Sequence, residues 1–191
     1  MVSATFALLV STAASAVEVS GVTVPEHVQI GSGGPSLELN GAGVRTRLVF
    51  RIYVAALYLP AKMHSGEEIL REDQPRRLLL VMLRDLTSKE MTTSMIEALN
   101  ETLTPAERSP LESRVQQFNA ILENFHDVRK GTQIAIDYLP RLGTIVLVDG
   151  KEKGRIPGAD FNQALLRMWI GARPRDVDLK TALLGAGPGS K

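Results

Sequence analysis

NGAGVRTRLVFRIYVAALYLP, residues 40–60, decides how the rest of this chain is read. Small residues come first, then Arg45, Arg47 and Arg51, then an apolar run that holds Tyr53 and Tyr58. From 48 to 58 the pattern has the two-residue period of a strand. Leu48, Phe50, Ile52, Val54, Ala56 and Tyr58 fall on one face, which is expected to be core. Arg45, Arg47, Val49, Arg51, Tyr53 and Leu57 fall on the other.

Arginines on a strand admit two readings. They can be the solvated face of a half-exposed sheet. Alternatively, an arginine beside an apolar cavity can hold a carboxylate or stabilise a developing enolate or phenolate oxygen, with a nearby tyrosine hydroxyl as second donor. Arg47 and Arg51 are assigned to the surface, which leaves Arg45 and Tyr53 as the candidates. They share strand parity, but eight residues of straight strand span about 26 Å. The two can meet only if the chain folds back between Thr46 and Phe50, where no Gly or Pro marks a turn.

Working outward, residues 22–30 read as a strand interrupted by Pro25, as suits an edge. Residues 31–35 (GSGGP) form a turn, another strand begins at 37–39, and 77–83 is an apolar run of strand length. Thr87 and Glu90 are spaced as a capping box, opening a helix whose stripe is Met91, Met95, Ile96 and Leu99. That methionine stripe reads as core, although methionine also suits an adaptable apolar pocket. A second start signal at 104–107 is read as a short turn, followed by a helix over about 110–123 that buries Leu111, Val115, Phe118 and Leu122. Strands over 133–139 and 144–149 flank a turn, and Asp149-Gly150 signals a tight hairpin. Pro157-Gly158 opens a helix with the stripe Phe161, Leu165, Met168 and Trp169, closed by Gly171. A last short helix covers about 176–184. Strands, helices, an antiparallel meander and helices again, in that order, give an α+β fold with helices on one side of an antiparallel sheet.

Composition narrows the function. The 191 residues carry 22 basic and 21 acidic side chains with no long run of either sign, unlike a nucleic-acid binder. With no cysteine, disulfides, zinc–thiolate sites and thiol catalysis are excluded. His27, His64 and His126 are scattered, without metal-ligand spacing. Hydrolase, zinc-protease, phosphate-loop and dinucleotide motifs do not occur, so no cofactor is called for. No later segment reaches the length of a membrane span. Residues 1–16 end in Ala14-Ser15-Ala16 after an apolar stretch, the pattern of an export signal cleaved after Ala16. The mature domain, 17–191, is then expected in the periplasm or outside the cell.

GAGVR followed by FRIYVAALYLP resembles the chalcone isomerase fold family, and KGRIPGADFNQALLRMWIG is similar to its bacterial chalcone isomerase-like branch. The resemblance spans roughly 21–185. It implies an open-faced β-sandwich, a large antiparallel sheet covered by helices with a ligand cleft between them. Catalytic members cyclise chalcones to flavanones, while other members bind fatty acids or act as non-catalytic helpers. By resemblance, Arg45 matches the arginine of active members, and Tyr53 matches a position that is tyrosine in fatty-acid-binding relatives. The catalytic tyrosine falls near Thr87, where this chain has none, and a downstream asparagine falls near Ser94. The implied function is non-catalytic binding of a small amphipathic ligand such as a fatty acid, through Arg45, Tyr53, Thr87, Met91 and Met95. An intramolecular lyase using Arg45 as electrostatic catalyst, and a ligand-free interaction module, are the alternatives.

Overall fold

The structure, a computed structural model, describes residues 15–185. The expected export signal therefore lies outside the described residues, except for Ser15 and Ala16. Strands β1 (Ala16–Val19) and β2 (Val22–Pro25) form a hairpin of their own. The chain then enters a seven-stranded antiparallel sheet through β3 (His27–Gln29), β4 (Ser36–Arg47) and β5 (Phe50–Leu59). After the short helix α1 (Gly66–Arg71) comes β6 (Arg76–Met82). Helices α2 (Ser88–Thr102) and α3 (Pro105–Glu123) separate it from β7 (Gln133–Leu139), β8 (Gly143–Val148) and β9 (Lys151–Ile156). Helices α4 (Ala159–Ile170) and α5 (Val177–Leu183) close the described chain. The sheet is a meander in sequence order from β3 to β9, curled and carrying helices, as the α+β expectation required.

Three sequence expectations need correction. Pro25 does not interrupt one strand: it ends β2, and the chain changes sheets before β3. The start signal at 104 opens α3 directly, so Pro110 lies inside that helix rather than at its start. The Glu107 carboxylate accepts from the Thr104 backbone N–H at 2.9 Å and from its hydroxyl at 2.8 Å, fixing the first turn. Pro110 is tolerated because it and Ala106, whose carbonyl loses its helical donor there, both face solvent.

The third correction concerns residues 48–58. They are not one strand with an apolar even face. Leu48 and Val49 form a two-residue hairpin turn, and Leu48 takes the left-handed φ of 55° that glycine or asparagine more often supplies. Leu48 is 88% exposed and Phe50 55% exposed. Further along β5, both faces are buried. Ala55, Leu57 and Leu59 join the helix-side core, whereas Val54, Ala56 and Tyr58 pack with Val24, Ile30 and Leu37 beneath the N-terminal strands. The Tyr58 hydroxyl donates to the Pro25 carbonyl at 3.0 Å, pinning the β1–β2 hairpin to the sheet.

The glycines of the opening stretch explain how α5 docks. A Cβ on Gly41 would sit 2.1 Å from the Ala182 carbonyl oxygen, and one on Gly43 would sit 2.6 Å from the Ala182 Cβ. Only a bare backbone lets the helix lie this close to β4. The buried Asn40 amide donates to the Leu183 carbonyl at 2.8 Å, binding the far end of the helix, and its oxygen accepts from the Met63 N–H at 2.7 Å. On the same side, α2 and α4 contribute Leu99, Phe161, Leu165 and Trp169 to the main core, with Phe118 of α3 edge-on to Phe161 at 5.8 Å.

Candidate functional site

The turn at Leu48-Val49 places Arg45 opposite Tyr53 in the β4–β5 ladder. Directly opposed residues carry Cβ atoms about 4.5–5.5 Å apart, so the separation imposed by a straight strand disappears. Immediately beyond this pair the register slips, Thr46 facing Arg51, which makes Ile52 the extra residue of a bulge. The bulge lets the consecutive residues Ile52 and Tyr53 both pack toward the helix-side core.

Arg45 is anchored from α5. Its Nη1 lies 3.0 Å from Oδ2 of Asp176 and 2.8 Å from the Thr46 carbonyl oxygen. Among the described residues, its Nε and Nη2 have no protein partner. Asp176 is also the N-cap of α5, accepting from the Leu179 N–H at 2.9 Å. Burial alone would raise the Asp176 carboxyl, but the Leu179 amide, the Arg45 guanidinium and the Thr46 amide together hold it below the usual carboxylate value.

Tyr53 is tied to α4. Nε1 of Trp169 donates to its phenol oxygen at 3.0 Å, which leaves the phenol O–H free to donate elsewhere. Burial pushes the phenol above its ordinary value, against the lowering effect of the Trp169 hydrogen bond and the Arg45 charge. Tyr53 is therefore a neutral donor at physiological pH.

Both side chains line a cavity of about 680 Å³ between the sheet, α2, α4 and α5. That is within the range of small-molecule sites. Ile52, Leu86, Met91, Met95, Ala98, Met168, Trp169 and Leu179 supply its apolar surface. Arg47, Leu48, Phe50, Arg84 and Lys89 complete its lining toward the hairpin turn. All five residues singled out in the sequence thus border one space. Met91 and Met95 are buried there on α2. Thr87 is at the rim, and its hydroxyl is already committed: it donates to Glu90 at 2.8 Å and accepts from the Glu90 N–H at 3.2 Å. Among the described residues, no group of three or more His, Cys, Asp or Glu could hold a metal ion.

The sequence reading missed Asp176, Trp169 and Arg175 as site residues. Asp176 read only as a helix start and Trp169 only as a core stripe. A buried indole needs a partner for its N–H, which was the available signal for Trp169. Arg175 borders the cavity while its guanidinium grips Glu101 at 2.7 and 2.6 Å.

The sequence profile described as chalcone isomerase-like matches residues 16–185. The chain belongs to the chalcone isomerase-like family. In structure, this chalcone isomerase-like protein is similar to a fatty-acid binding protein of Arabidopsis thaliana, with a TM-score of 0.64 and 16% identity, over 83% of this chain and 96% of that one. At that identity the likeness establishes the fold. No curated protein matches the sequence. The PGADFN element of this chalcone isomerase-like protein acts as scaffold. Asp160 pairs with Arg114, and the Asn162 amide donates to the Thr144 hydroxyl at 3.1 Å, fixing the helix that carries Met168 and Trp169 into the cavity.

Proposed function

We propose that this chalcone isomerase-like protein binds an amphipathic carboxylate, a fatty acid being the best fit, without transforming it. The observation that carries this reading is the pairing of Arg45 and Tyr53 across one ladder at the wall of an apolar cavity. The carboxylate lies between the unpartnered Nε and Nη2 of Arg45 and the free O–H of Tyr53, where charge-assisted hydrogen bonds are strongest. The tail lies against Met91, Met95, Met168 and Trp169, methionine adapting to tails of different shape. The fatty-acid binding neighbour of the same fold supports a ligand of this class.

Cyclisation has weaker support, since the resemblance puts the catalytic tyrosine near Thr87, where this chain has no tyrosine and the Thr87 hydroxyl is engaged by Glu90. The test is mass spectrometry of lipid extracted from the purified protein. Fatty acid recovered from the wild type and absent from Arg45→Ala is the expected result. Equal recovery from both, or none from either, would sink the reading. We also infer export, with Val17 as the first mature residue. Mass measurement of the protein from the periplasmic fraction checks this, and an intact leader there would overturn it.

A further inference from the structure

The end of the molecule that carries the β4–β5 turn has three consecutive apolar residues in solvent. Leu48 is 88%, Val49 85% and Phe50 55% exposed. Leu48 holds its left-handed conformation without the glycine or asparagine that would make it easy, so a bulky apolar side chain stands where local backbone preference disfavours one. Four cations border this tip: Arg47 and Arg51 on the hairpin, Arg84 just beyond the adjoining strand β6, and Lys89 at the start of α2. None of the four has an ion-pair partner among the described residues. Arg51 donates to the Ser20 hydroxyl at 2.7 Å, and Arg84 lies 5.2 Å over the Phe50 ring.

The nearby acids are mostly spoken for. Glu90 closes the α2 cap, Asp85 accepts from the Lys130 N–H and pairs with Arg129, Asp127 accepts from the Ser88 N–H, and Asp176 holds Arg45. Glu97 alone adds an uncommitted carboxylate to the cavity lining. One apolar projection is thus bordered by four cations that no carboxylate of the described residues pairs with.

We propose that this tip docks the protein onto an anionic lipid surface. The headgroup–acyl boundary is soft enough to take in a projecting apolar turn without a preformed pocket. Arginine and lysine around it keep their charges among anionic headgroups while their stems follow the apolar side chains inward. Leu48 and Phe50 also line the cavity, so docking turns its mouth toward the bilayer. This last consequence, passage of a lipid between bilayer and cavity, rests on the proposed function; the docking does not.

The test is flotation of the full chain with phosphatidylglycerol–phosphatidylethanolamine vesicles, against pure phosphatidylcholine vesicles. Val49→Asp and Arg51→Glu are the informative variants, because neither residue lines the cavity and both are exposed. Wild type is expected to float with the anionic vesicles and not the neutral ones, and each variant to bind about tenfold more weakly. The chain has no cysteine, so Val49→Cys accepts a single environment-sensitive dye, whose emission should shift blue on the anionic vesicles alone. Unchanged flotation of both variants, or a label that stays in water, overturns the proposal. So does self-association that Val49→Asp abolishes, which would assign the tip to a second copy. Displacement of a fluorescent fatty acid, measured without vesicles, separates the two ideas. A wild type that docks but binds no fatty acid sinks the cavity reading and leaves the docking intact.

Discussion

Arg45 and Tyr53 face one another across the β4–β5 ladder, although eight positions separate them along the chain. Each is held from behind by a different helix, Arg45 by Asp176 at the start of α5 and Tyr53 by Trp169 near the end of α4. The two donors therefore point from a wall braced on both sides, and removing either brace should be measurable.

Asp176→Ala removes an N-cap and the partner of a half-buried arginine. A cap of this kind contributes about 0.5–2 kcal/mol, and urea unfolding should register a loss in that range. The sign of its pH dependence is fixed. Because the folded-state carboxyl is held low, its contribution is present above the unfolded value of about 3.9 and is lost as pH falls through the folded one. The wild type should lose its advantage over the variant below about pH 4, and a constant gap down to pH 2 would contradict the pairing.

Tyr53→Phe deletes the hydroxyl that accepts from Trp169 and is proposed to donate to the ligand. Trp169 is 4% exposed, so its orphaned N–H should cost about 1–3 kcal/mol of stability. Fatty-acid affinity should fall about tenfold through the lost donor. Because Trp169 is the only tryptophan, its fluorescence reports both the altered environment and ligand titration in one experiment.

Arg45→Lys keeps the charge but not the planar fork. Lysine can still reach Asp176 as a point charge, yet it cannot present a second pair of donors to a carboxylate. Thermal unfolding should find stability nearly preserved, and calorimetric titration should find fatty-acid affinity reduced by about tenfold or more. Wild-type affinity in this variant would mean that the headgroup lies elsewhere.

Gly41→Ala places a methyl group where the Ala182 carbonyl oxygen already lies, 2.1 Å from the ideal Cβ. The clash is with backbone, so no side chain can swing away. A loss of roughly 1–3 kcal/mol is expected, together with faster proteolysis within α5. Leu99→Ala, at a fully buried position of α2, should cost about 2–5 kcal/mol through the cavity it leaves.

Elements whose signals are local were legible in the sequence. The Thr87–Glu90 capping box, the Asp149-Gly150 turn with positive φ at both residues, and the Gly171 stop all stand where their side chains and dihedrals put them. The hairpin at Leu48-Val49 was not legible, because its turn uses residues that carry no turn signal and the alternation runs unbroken through it. Tertiary packing, not propensity, decided that fold-back. The same holds for the opposite face of β5. Val54, Ala56 and Tyr58 were expected as core, but the burial of Ala55, Leu57 and Leu59 follows from helices far away in sequence. Arg45 and Tyr53 could be singled out by chemistry and resemblance, whereas their braces could not, since Asp176 and Trp169 lie 131 and 116 positions away.

The docking of α5 on Gly41 and Gly43 also bears on how this protein can be engineered. Its last described helix looks expendable by position, a seven-residue segment at the end of the fold. Yet a chain cut before Asp176 would bare the glycine track of β4, strip Asn40 of the carbonyl its amide holds, and leave Arg45 with no counter-charge. A purification tag or fusion partner is therefore best joined beyond Gly185, and any truncation series should treat Asp176 to Leu183 as indivisible from the central sheet.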